Sequence, residues 1–162
     1  MRRVRVGVAR DCRSASWCIA RWGLAAWWFG NLYEGLVGVP QLLADSRAER
    51  TPGLFAAGSP VRYWAPVAAT ALASTGVAWV QSWHAGADRR LLTATATCLG
   101  SAMGVSVHLI RTVNIPLLTE DKPLTARDRQ RLIATWHRGN AVRLALLGTG
   151  AAAFTRLARA RG

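Results

Sequence analysis

Leu91 to Ile110 is a run of 20 residues without Asp, Glu, Lys or Arg. A helix that crosses a bilayer needs about 20 apolar residues, so this run restricts the fold more than any other segment. It closes on His-Leu-Ile-Arg-Thr-Val-Asn-Ile-Pro, residues 108–116. In a helix His108, Arg111 and Asn114 stand at i, i+3 and i+6 and share one side. Ionisable groups at membrane depth are expensive and serve a pathway, a site or a partner. The run predicts a small membrane protein with a polar centre among its helices.

Composition agrees. The chain is 51% hydrophobic yet carries a formal charge of +13. Those values conflict in a soluble domain and agree in a membrane protein with basic ends. Twenty of its 21 basic residues are Arg, found mainly in tails and loops between apolar runs, and the positive-inside rule explains many of them. No basic amphipathic helix or reading module points to nucleic acid. Cys12, Cys18 and Cys98 contain no C-x-x-C pair, which argues against thiol–disulfide exchange. The apolar run behind the Arg-rich N-terminus is too long for a signal peptide and is taken as the first span.

The expected architecture is an all-α, four-helix transmembrane bundle, one integral membrane domain over 1–162, with spans at about 18–43, 63–84, 91–115 and 132–155. Residues 1–16 form a short cytoplasmic arm. Residues 44–62, with Pro52, Gly53, Gly58 and Pro60, form a loop. The second span carries no formal charge from 63 to 87 and is flanked by Tyr63, Trp64, Trp79 and Trp83. Ala85 to Arg90 is a tight connection, Pro116 ends the third span, and 117–131 is a polar loop. The fourth span begins near Leu132, because its uncharged part, 144–155, is too short to cross. Gly100 and Gly104 form a G-x-x-x-G pair that suits close helix packing. With the N-terminus inside, inner segments carry eleven basic residues and outer loops eight, a bias that favours both termini in the cytoplasm. The expected location is a bacterial cytoplasmic membrane.

Three helices repeat one device. Trp27, Asn31 and Glu34 are spaced i, i+4, i+7 on the first. His108, Arg111 and Asn114 follow on the third. Trp136, Asn140 and Arg143 repeat i, i+4, i+7 on the fourth. Each set occupies one helical face, and an alternating topology brings all three to the extracytoplasmic half. One reading is structural, with Glu34 paired to Arg111 or Arg143 to bury charge and the amides bridging helices. The sharper reading is a reaction or binding site. No spacing suits a metal, and His84, His108 and His137 cannot meet, since His84 lies at the opposite end of the bundle.

The Asn31–Glu34 N-x-x-E, the Arg111–Leu117 stretch R-T-V-N-I-P-L and the Thr135–Arg143 stretch T-W-H-R-G-N-A-V-R resemble the anthrone-oxygenase-like family of small four-helix integral membrane proteins. The resemblance covers the layout of the whole chain and about twenty residues of motif. It implies oxidation of an anthrone to an anthraquinone in aromatic polyketide tailoring, a step of secondary-metabolite (antibiotic) biosynthesis. Molecular oxygen would be a co-substrate, with no metal, flavin or other cofactor. Such an enzyme needs a base, an anion stabiliser and a dry pocket for a lipophilic substrate. His108 or Glu34 would be the base, Arg111, Arg143 and the amides of Asn31, Asn114 and Asn140 would hold an enolate, and Trp27 and Trp136 would stack on a flat substrate. The same chemistry suits a membrane-bound cyclase or isomerase. A non-catalytic scaffold or transporter component is the alternative from another class, although no internal repeat favours transport.

Overall fold

The computed structural model describes residues 3–38, 60–119 and 124–159. Four helical rods run through them, with no strand among the described residues. α1 spans Arg3–Leu36, so the described part of the expected N-terminal arm is helical. α1 also ends earlier than expected. Val37 N–H bonds back to Tyr33 O at 2.9 Å, and Gly38, at φ 68°, turns the chain out of the helix. Residues 39–43 of the expected span lie outside the described residues.

α2 spans Pro60–His84, and a short turn through Gly86 leads to α3, Arg89–Leu109. The Asp88 carboxylate caps α3 by accepting from Arg90 N–H at 2.8 Å. The tight connection expected at Ala85–Arg90 is therefore present. Pro116, expected to end the third span, does not. A π-helical turn, Ile110–Asn114, precedes it, and the rod continues as α4, Ile115–Thr119. Proline removes an N–H and presses on the carbonyl four residues back. The wider turn, in which Ile115 N–H reaches Ile110 O, accommodates that loss without breaking the rod.

α5 spans Ala126–Arg159 and starts six residues before the expected Leu132. Thr125 explains the earlier start. Its hydroxyl accepts from Asp128 N–H at 3.2 Å, capping the helix, and donates to the Asp128 carboxylate at 2.6 Å.

The rods run up and down. Ser16 meets Gln81, Trp79 donates to Leu92 O, and Trp17 stacks on Phe154 at 4.4 Å. The N-terminal half of α1, the α2–α3 turn and the C-terminal end of α5 therefore share one end of the bundle. Arg21, Arg89, Arg90, Arg156 and Arg159 gather towards it, and the Arg89 guanidinium lies 3.5 Å from the Trp83 ring centre.

α1 packs chiefly on α2, and α3 on α5; α1 and α5 join the two pairs. The main core holds Ala20, Leu24, Trp27, Ala71, Leu99 and Phe154, and a second cluster of Leu109, Val113, Leu117 and Trp136 fills the far part of the α3–α5 pair. Gly100 and Gly104 do not contribute. A Cβ at either meets nothing within 4 Å, so the G-x-x-x-G pair faces outward rather than into the bundle. The hydroxyls of Thr75, Ser82, Thr95 and Ser106 each bond to the carbonyl four residues back, which satisfies them without water.

Two stretches are long and apolar enough to cross a membrane: Arg89–Leu117, 29 residues with mean hydropathy 1.3, and Ala126–Arg159, 34 residues with mean hydropathy 1.2.

Candidate functional site

The steps of α1 and α5 bring their polar faces together. Trp27, Asn31 and Glu34 are all buried, as are Trp136, Asn140 and Arg143. Glu34 and Arg143 form the centre. Their side chains are each 10% exposed, with Nη2 3.7 Å from Oε2. That distance is longer than a charge-assisted hydrogen bond, so the pair attracts without closing.

Neutral groups hold the two charges in place. Arg143 donates to Asn140 Oδ1 from Nη2 at 2.7 Å and from Nε at 3.3 Å, and Nη1 reaches Ser106 Oγ at 3.5 Å. Asn140 Nδ2 donates to Asn31 O at 2.9 Å, and Asn31 Nδ2 to Trp27 O at 2.6 Å. The Trp64 indole of α2 donates to the Glu34 carboxylate. The Trp136 ring centre lies 6.0 Å from the Arg143 guanidinium carbon. The cluster thus joins all four rods.

Its level also follows from the sequence. Ser106, opposite Arg143, lies about 8 Å past the midpoint of the Leu91–Ile110 run at about 1.5 Å per residue. It sits on the side away from the arginine-rich end, as the alternating topology predicts for α1 and α5.

The third set behaves differently. His108 and Arg111 are exposed and lie outside the cluster. The buried side of α3 runs Leu92, Thr95, Leu99, Ala102, Ser106 and Leu109, continued by Val113 in the π turn. His108 is two residues from Ser106, about 200° around the helix, so it points away from Arg143. Asn114 is half-buried in the π turn, and its Oδ1 is enclosed without a hydrogen-bond partner among the described residues. The structure therefore brings together six of the nine expected residues and sets His108, Arg111 and Asn114 apart from them.

Trp64 and Ser106 complete the cluster and were absent from the sequence expectation. Ser106 belongs to the buried row of α3, whose steps of three and four residues are readable in the sequence. Trp64 has no comparable spacing signal, but Gly30, one turn before Glu34, marks where it enters. A Cβ at Gly30 would lie 2.5 Å from Cζ2 and Cζ3 of Trp64 and nearer still to Cη2.

Chemically, the cluster offers a carboxylate with a nearby cation and a set of oriented amides. Among the described residues no three His, Cys, Asp or Glu side chains come together as metal ligands. No protein-family profile, curated protein or solved structure matches the chain.

Proposed function

We propose that the chain is an integral membrane four-helix bundle in which Glu34, Asn140 and Arg143 handle a proton on a lipophilic small molecule. The observation that carries this reading is the buried pair itself: a carboxylate and a guanidinium from separate helices, 3.7 Å apart and each oriented by neutral neighbours. Its surroundings support a lipid setting. Large apolar side chains are exposed on every rod, among them Trp22 and Phe29 on α1, Val77 and Val80 on α2, Val107 on α3 and Val142 on α5. A protein that is apolar outside and charged at its centre suits a bilayer. The basic end then faces the cytoplasm.

In this proposal Glu34 takes a proton from an activated C–H beside a carbonyl. Arg143, held by Asn140, stabilises the enolate oxygen. Trp27 and Trp136 offer aromatic walls. The carbanion adds to molecular oxygen, the peroxide anion takes back the proton from Glu34, and the hydroperoxide so formed loses water to leave a new carbonyl, the outcome that the anthrone-oxygenase-like resemblance implies. His108 and Arg111 take no part, because their side chains point away.

A second reading has specific support. The hydrogen-bonded chain from Trp27 O through Asn31, Asn140 and Arg143 to Ser106 stitches three rods, as a purely structural lock would.

The full chain in lipid nanodiscs, supplied with anthrone as probe, separates the readings through oxygen uptake and quinone absorbance. Glu34→Gln should lower turnover at least about 100-fold, and His108→Gln should leave it unchanged. Full turnover in Glu34→Gln would remove the assignment. An isomeric or ring-closed product made without oxygen uptake, from a lipophilic polyketide probe, would favour the cyclase.

A further inference from the structure

Two apolar grooves flank Trp22 on α1, on the basic-end side of Glu34. The larger, about 940 Å³, lies between α1 and α5, with Ala25, Phe29, Gly148 and Ala151 on its walls. The smaller, about 540 Å³, lies between α1 and α2 against Pro66, Val67 and Thr70. They share Cys18, Trp22 and Ala26, and Trp22, 79% exposed, stands between them as a partition.

Arg21 lines the larger groove. It is exposed and has no acidic partner among the described residues. Ser16 is level with Gln81 near the basic end, so Arg21, five residues further along α1, lies about 8 Å inside that level. In a bilayer an unpaired arginine at this depth is costly unless it reaches an anion. Its aliphatic stem can run along the groove while the guanidinium rises towards the headgroups. Arg159, four residues beyond the groove-lining Thr155, continues the same face of α5 and adds positive charge at that end.

Two neighbouring apolar slots, with a cation lining the larger, match a two-chain anion. We propose that these grooves hold the acyl chains of an anionic phospholipid, whose phosphate is bound by Arg21. Small residues make the slots: Ala25, Ala26, Gly148 and Ala151 leave the width that an acyl chain fills. The proposal rests on the membrane reading and is independent of any reaction at Glu34.

The test uses the full chain. Resistance to alkaline carbonate extraction checks the membrane reading first; release without detergent would overturn that reading and this one together. Native mass spectrometry then compares retention of phosphatidylglycerol and phosphatidylcholine. The parent chain should retain phosphatidylglycerol about fivefold better, the preference that one arginine near a lipid phosphate confers. Arg21→Gln should abolish the preference, while Arg21→Lys and the outward-facing control Arg111→Gln keep it. Ala25→Leu, at an exposed position, should weaken retention of both lipids by obstructing the larger groove. Equal retention of both lipids by the parent chain, equal losses in Arg21→Gln and Arg111→Gln, or unchanged retention in Ala25→Leu would overturn the site while leaving the membrane reading intact.

Discussion

Replacing Gly30 by alanine probes how α1 and α2 meet around Glu34. The added methyl would lie 2.5 Å from two ring carbons of Trp64, so the indole must move. Overpacking of this kind costs about 1–3 kcal/mol. Moving the ring also withdraws its N–H from Glu34. In the membrane setting proposed above, a hydrogen bond contributes about 0.6 kcal/mol on average and about 1.7 at most. Against these losses, alanine favours a helix over glycine by about 0.8–1 kcal/mol. The net destabilisation is about 1–4 kcal/mol.

The decisive comparison is in a second background. Trp64→Ala removes both the obstacle and the donor. There Gly30→Ala should stabilise the chain by up to about 0.8–1 kcal/mol, because the three atoms nearest the added methyl all belong to Trp64 and helix preference takes over. The sign of the effect thus reverses between backgrounds. Reversible unfolding of the four chains in mixed micelles, followed by circular dichroism, gives the cycle directly. A Gly30→Ala penalty that persists undiminished in the Trp64→Ala background would refute the account of this contact.

Two further outcomes follow from the packing. Arg143→Met leaves Glu34 buried without its cation and should destabilise by about 3–5 kcal/mol, whereas Glu34→Gln/Arg143→Met should recover much of that loss in the same unfolding assay. Gly100→Ala and Gly104→Ala place methyl groups in open space and should each stabilise by about 0.8–1 kcal/mol; destabilisation of either would show that this face is covered.

The sequence made the helical rods and most of the cluster legible because spacing carries that information. Steps of four and three place Asn31 beside Glu34 and Asn140 beside Arg143, and an up-and-down topology then sets α1 against α5 at one level. The same logic erred at His108 and Arg111. Shared spacing shows that residues lie on one face, but not which face the neighbours cover. The row from Leu92 to Leu109 carried that information, and Ser106, not His108, belongs to it. Pro116 misled for another reason. A single widened turn absorbs a proline without leaving a mark in hydropathy. The start of α5 was readable in Thr125 and Asp128, a local capping signal hidden within a stretch whose charge suggested a loop. Trp64 reaches Glu34 from a different rod, and only the assembled packing reveals it.

The long loop closed by the cluster has a consequence for how the chain is made. Asn31 and Asn140, like Glu34 and Arg143, stand 109 residues apart. At about 5–20 residues per second, the first member of each pair leaves the ribosome about 5–20 s before the second. During that interval the carboxyl group lacks the guanidinium of Arg143, its partner in the folded bundle. Trp64, on α2, emerges much sooner, and its indole N–H can chaperone the acid until the last rod arrives. The contact made first would then guard the one made last.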